Sequence, residues 1–171
     1  QKALFYGLVF AEAGFKVVCT DADQSVVKRL SRGSFQLSDR EAESKLKRFV
    51  RTERLIVTSD LKTAVSESNV IIITVSARID PKKSPDYSEI ESTCKQIGAV
   101  LRKGSLVVYT GIAGFGTVQS LIKETLENTS GFRVGEDFGL AYNPINSLVW
   151  KETTQLFGQE LIIAANDKYS L

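Results

Sequence analysis

NVIIITV, Asn69–Val75, puts β-branched residues on both faces of one extended segment. Side chains alternate across a strand, so apolar residues on both faces mean that both faces are covered, as in a parallel sheet layered with helices. Working outward, the flanking chain repeats that logic. Further strands are expected at Lys16–Thr20, Leu55–Thr58, Ser105–Tyr109, Phe138–Tyr142 and Leu161–Ala165. Between them lie helical patterns over residues 3–13, 24–30, 38–50, 60–68, 85–102 and 117–127. The clearest is 85–102, where Tyr87, Ile90, Cys94, Ile97 and Leu101 recur at helical spacing and Pro85 suits a first turn. The polar helix over 38–50 offers Leu46 and Val50 as its apolar contacts. Gly14, Gly33 and Gly104 stand where helices stop. Alternating strands and helices with short connections predict a doubly wound α/β domain with a mostly parallel sheet, one domain over residues 1–171.

Composition is that of an ordinary globular domain. A formal net charge of +2 gives no reason to expect nucleic acid or an acidic membrane surface as a partner. The basic run Lys45, Lys47, Arg48, Arg51 and Arg54 is interleaved with acids and reads as a solvated helix face. No apolar run is long enough to span a membrane. Cys19 and Cys94 match no metal or redox spacing, and reduced thiols in a cytoplasmic protein are the expectation. The absence of histidine removes imidazole from any acid–base scheme. Methionine is also absent, even at position 1, so a fragment of a longer chain is expected.

The segment VVCTDADQ, Val17–Gln24, ends a strand on an acid. In a dinucleotide-binding unit the first strand is followed by G-x-G-x-x-G/A, and an acid about 20 residues on accepts the ribose hydroxyls. Asp21 stands in that place, favouring NAD over NADP because a carboxylate repels a 2′-phosphate. Counting back puts the fingerprint's third position at Ala3, with the first strand and first two glycines upstream of Gln1. Gly7 is a rival for the third position, but lies close to Asp21 for the usual helix length. Asp21 is equally suited to capping the next helix. The order of elements around it favours the ribose.

Four passages together resemble the NAD-binding N-terminal domain of the UDP-glucose/UDP-N-acetylmannosamine (nucleotide-sugar) 6-dehydrogenase family. They are AEAGFKVVCTDAD with RLSRG, LIVTSDLKTAVSESNVIIITVSARID with SPDYSEIES, KGSLVVYTGIAGFGTVQSLI, and GEDFGLAYNP. The likeness implies a Rossmann-like fold and, in a full-length protein, oxidation of the sugar C6 hydroxyl to a carboxylate with NAD. It implies the cysteine nucleophile and lysine of a later domain, so Cys19 and Cys94 are expected to pack, and the isolated stretch is not expected to turn over. It also implies a homodimer through a central helix beyond this stretch, towards which Trp150 leads.

By this resemblance Ala3, Asp21, Val75, Ser76, Ala77, Thr110 and Gly111 would hold NAD, the last two on the nicotinamide side. Asn143 and Asn146 would offer amides to a nucleotide-sugar substrate. No residue here is assigned a catalytic role, because the pattern departs from the family where chemistry is done. Gly111 and Ile112 stand for Ser and Thr of its S-T-x-P-x-G-T turn, and Gly114 or Phe115 for the proline, while Gly116 and Thr117 match. Ile145 stands for its catalytic Glu and can neither take a proton nor orient a water. Two other readings stay open: a nucleotide-binding or assembly homologue that has lost the active site, and a dehydrogenase of the 6-phosphogluconate or hydroxyacyl type.

Overall fold

In KALFYGLVFAEAG only Gly7 interrupts the run before the closing glycine, and the chain forms α1 (Lys2–Glu12). It then turns at Gly14, whose φ of +100° is open to glycine without strain. The computed structural model describes residues 2–34, 37, 40–144, 163–165, 167 and 170. Described residues up to Ala64 form one compact unit, and those from Val65 onward a second.

In the first unit, β1 (Val17–Thr20) leads to α2 (Gln24–Ser31), α3 (Arg40–Arg51) and β2 (Leu55–Thr58), and the boundary between the units falls within α4 (Leu61–Ser66). The two strands pair in parallel, Val17 opposite Leu55 and Thr20 opposite Thr58. Leu4, Leu8 and Ala11 close on Leu30, Leu46, Phe49 and Leu55 to make its core. Burying a leucine such as Leu46 contributes about 1.5–3 kcal/mol. On α3 the expected Leu46 and Val50 both meet this core, Val50 half-buried, and Phe49 joins them as a buried contact. Ala42, Leu46 and Phe49 follow spacings of four and three, so they share one face, and Val50 turns to its margin.

The second unit carries β3 (Val70–Ile73), the hairpin strands β4 (Arg78–Ile79) and β5 (Pro85–Asp86), and α5 (Ser88–Gly98). It continues with β6 (Leu106–Tyr109), α6 (Lys123–Ser130), β7 (Gly139–Tyr142) and β8 (Ala164–Ala165). Its main sheet has the order β3-β6-β7-β8, parallel from β3 to β7, with β8 antiparallel to β7. The mostly parallel α/β arrangement is therefore as expected.

Three local readings change. Val70 is 52% exposed, because β3 is an edge strand of this sheet among the described residues. Residues 85–87 are not the first turn of α5: Pro85 pairs with Ile79 in the hairpin. The turn is closed by Asp80, whose Oδ1 accepts from the Lys82 and Ser84 N–H groups at 2.8 Å each. The helix expected from 117 begins with a π-helical turn over Val118–Ile122, where the Thr117 carbonyl accepts from both Leu121 and Ile122 at 3.0 Å. Cys94, Ile97, Val107, Tyr109, Leu126 and Phe138 form the core beneath.

Candidate functional site

Asp21 follows directly on β1, exposed, with its N–H extending the ladder to the Thr58 carbonyl at 3.2 Å. Its Oδ1 accepts from the Asp23 N–H at 2.9 Å. Capping of α2 falls to Asp23, whose Oδ1 accepts from the Ser25 N–H at 2.7 Å. Hydrogen bonds from Ser25 hold the Asp23 carboxyl below its ordinary range. Of the two roles open to Asp21, capping is thus taken by its neighbour. Gln24 Nε2 donates to Ser59 Oγ at 2.7 Å, tying the loop after β1 to the loop after β2.

Ala3 and Asp21 line one small cavity of about 40 Å³, with Leu4, Cys19, Thr20 and Val26 among its walls. Cys19 Sγ lies 3.8 Å from the Ala3 carbonyl, and burial pushes its thiol up to about 12. A thiol so protonated packs and does not attack. Close helix–strand approach is made at Gly7, four residues after Ala3. A Cβ there would lie 2.7 Å from Cys19 Sγ and 3.0 Å from Leu55 Cδ1.

In the second unit, the loops that leave β3 and β6 interlock. The Thr110 N–H donates to the Ile73 carbonyl at 2.8 Å and Ala77 N–H to the Ile112 carbonyl at 2.8 Å. Ile112 N–H donates to Ser76 Oγ at 3.0 Å. Between them Gly111 has no room for any side chain: a Cβ would stand 2.0 Å from the Val75 carbonyl oxygen and 2.4 Å from the Tyr109 hydroxyl. The structure therefore brings Val75, Ser76, Ala77, Thr110 and Gly111 together at the carboxyl ends of two parallel strands, where α/β sheets bind ligands. Thr110 is 1% exposed, and its hydroxyl also donates to the Ile73 carbonyl, at 3.3 Å. Asn143 follows β7, its N–H donating to the Tyr109 carbonyl at 2.9 Å, with the residue 4% exposed. Asn146, Ile145 and Trp150 lie outside the described residues.

Two residues assigned no part in the site from the sequence stand at this edge. Tyr109 is buried under Gly111 and stacks on Tyr142 with centroids 5.9 Å apart. The Tyr87 hydroxyl accepts from the Gly114 N–H at 3.2 Å. Their signal in the sequence was indirect: glycines stand where the motif carries side chains, so something else must fill the space. The same loop, from Ala113 to Gly116, borders a cavity of about 550 Å³ that Gln119, Lys123 and Tyr142 also line. Neither loop carries a carboxylate or imidazole, and Ile112 is 53% exposed. Such an edge can hold a ligand through main chain and shape, but the loops bring no group that exchanges a proton near neutral pH. Among the described residues, no group of three His, Cys, Asp or Glu side chains is placed to hold a metal. No helix there is long and apolar enough to cross a membrane.

Comparison with known proteins gives this geometry its setting. The chain is 30% identical over 137 residues to UDP-N-acetyl-D-mannosamine dehydrogenase of Pyrococcus horikoshii, covering 80% of this chain and 32% of that one. It is 30% identical over 134 residues to GDP-mannose 6-dehydrogenase of Pseudomonas aeruginosa, covering 77% and 31%. The chain thus spans about a third of the length of these relatives. Among solved structures, the P. horikoshii UDP-D-ManNAc dehydrogenase superposes with a TM-score of 0.88 at 28% identity, over 98% of this chain and 39% of that one. A ternary complex of the P. aeruginosa GDP-mannose dehydrogenase gives 0.87 at 25% identity, over 98% and 39%. Residues 3–166 match the UDP-glucose/GDP-mannose dehydrogenase family, NAD binding domain, and the chain belongs to that family as its NAD-binding domain.

Proposed function

We propose that this chain is the NAD-binding part of a nucleotide-sugar 6-dehydrogenase, in which the full-length protein oxidises the C6 hydroxyl of a UDP- or GDP-sugar to a carboxylate. Asp21 takes the adenosine ribose hydroxyls, with Ala3 at the third position of the glycine fingerprint. Val75, Ser76 and Ala77 border the adenosine and its ribose, Thr110 and Gly111 the nicotinamide side, and Asn143 and Asn146 serve the sugar nucleotide. One observation carries the reading: Asp23 caps α2, so Asp21 stands exposed at its strand end with no helix to cap. One domain over residues 1–171, a homodimer paired through a central helix, and a cytoplasmic location belong to the same proposal.

Calorimetry with NAD⁺ and NADP⁺ on the full-length protein tests it. NAD⁺ binds and NADP⁺ binds far more weakly; no NAD⁺ binding, or equal affinity for the two, refutes the account of Asp21.

A second reading is favoured by Ile112, whose exposed alkyl side chain stands where the family's turn carries a hydroxyl. On that reading the protein binds nucleotides without oxidising the sugar. NADH formation from UDP-glucose, UDP-N-acetylmannosamine or GDP-mannose excludes it. Silence with all three, alongside intact NAD⁺ binding, supports it.

A further inference from the structure

Two glycines of this turn, Gly111 where the family carries Ser and Gly114, one of the two positions that stand for its proline, share one physical feature: a phenol stands where a side chain would project. A Cβ on Gly111 would lie 2.4 Å from the Tyr109 hydroxyl and 2.6 Å from its Cζ. On Gly114 it would lie 2.6 Å from the Tyr87 hydroxyl. Each phenol also bonds the loop it supports. Tyr109 donates to the Ile112 carbonyl at 3.4 Å, and Tyr87 accepts from the Gly114 N–H at 3.2 Å. A proline at 114 would have had no N–H to satisfy and a fixed φ. Glycine brings back both the donor and the freedom, and Tyr87 takes up that donor.

We infer that Tyr87 and Tyr109 are positioning residues for the nicotinamide-side loop, each phenol fixing the main chain at a glycine that replaces a side chain of the family's turn. The pair holds Gly111–Gly114 from beneath, while Ser76 and Ala77 hold Ile112 from the β3 side. Burial pushes the Tyr109 hydroxyl's pKa up, with Tyr142 adding to the effect, so it stays protonated and able to donate. The loop that results is set without the Ser hydroxyl or the proline, and it leaves the side chain of Ile112 facing outward.

This inference rests on the NAD reading, and its test separates the two. In the full-length protein, Tyr87→Phe, Tyr109→Phe and the double variant are titrated with NAD⁺ and with AMP, which lacks the nicotinamide half. Phenylalanine keeps each ring and removes only the hydroxyl. The expected result is a loss of NAD⁺ affinity of roughly threefold to tenfold per single variant, and more in the double, with AMP affinity unchanged. An unchanged NAD⁺ affinity in the double variant overturns the inference while leaving the NAD reading intact. So does an equal loss for NAD⁺ and AMP, which marks general destabilisation. Failure of the unmodified protein to bind NAD⁺ overturns both.

Discussion

Asp21 and Asp23 lie two residues apart on one exposed turn: Asp23 caps α2, and Asp21 is the acid proposed for the ribose. Asp21→Ala keeps the main-chain bond to Thr58 and loses one exposed side-chain bond, from the Asp23 N–H to Oδ1 at 2.9 Å. Water replaces that bond, so stability falls by less than about 1 kcal/mol. Binding suffers more. Hydrogen bonds to a charged group contribute about 1.5–3 kcal/mol, which is roughly a 10- to 150-fold loss of NAD⁺ affinity. Asp23→Ala does the reverse: it removes the bond to the Ser25 N–H that caps α2 and lowers stability, while NAD⁺ affinity stays within about twofold. Asp21→Asn separates charge from shape, and the preference for NAD⁺ over NADP⁺ narrows. The assay pairs calorimetry with urea unfolding on the same samples. If Asp21→Ala binds NAD⁺ as the parent does, or Asp23→Ala loses as much affinity as Asp21→Ala, the division of roles is wrong.

Gly111→Ala forces a Cβ to within 2.0 Å of the Val75 carbonyl oxygen, so the two loops must part. Overpacking of this kind costs about 1–3 kcal/mol, read as a lower urea midpoint, and an unshifted midpoint would show that the interlock is loose. Acid should act through Asp60, Asp86 and Asp137, whose carboxyls are held below the ordinary 3.8. The causes are the Thr63 hydroxyl, the Ser88 N–H and the Lys103 ammonium respectively. Carboxylates with depressed folded values contribute stability that is whole above the unfolded value and lost as pH falls through the folded one. Denaturation midpoints should therefore hold above the ordinary carboxylate range and drop as pH falls below it, and Asp137→Asn should flatten the drop. A midpoint independent of pH there would refute the assignment.

How far the sequence was legible follows from what each feature depends on. Strands and helices whose pattern is local were read to within a residue or two: Val17–Thr20, Leu55–Thr58 and Leu106–Tyr109 are each set by alternation or by a run of β-branched residues. The helix expected from Pro85 was overextended, because Pro85 is equally at home in an edge strand. What decided its place was the Asp80 turn five residues earlier. Asp21 was legible as a strand-end acid, but its freedom from capping was not, since that depends on which of two aspartates reaches the Ser25 N–H. The roles of Tyr87 and Tyr109 were invisible for a stronger reason. Tyr87 meets Gly114 across 27 positions, and Tyr109 meets Gly111, two residues on, only through the course of the turn between them.

These contrasts bear on which half of the family's chemistry the chain keeps. Cofactor binding at strand ends draws on main-chain groups, close approach and shape, and each can be supplied by new side chains provided the loop keeps its course. Gly111 with Tyr109, and Gly114 with Tyr87, are replacements of that kind. Proton transfer asks for one functional group at one place, and no phenol beneath the loop can stand in for a hydroxyl above it. The side chain of Ile112 itself offers no hydroxyl, whereas each of the two glycines has a phenol beside it. The packing of the two glycines against phenols, with Ile112 held through its main chain by Ser76, Ala77 and Tyr109, fits a loop whose course serves NAD binding whether or not the sugar is oxidised.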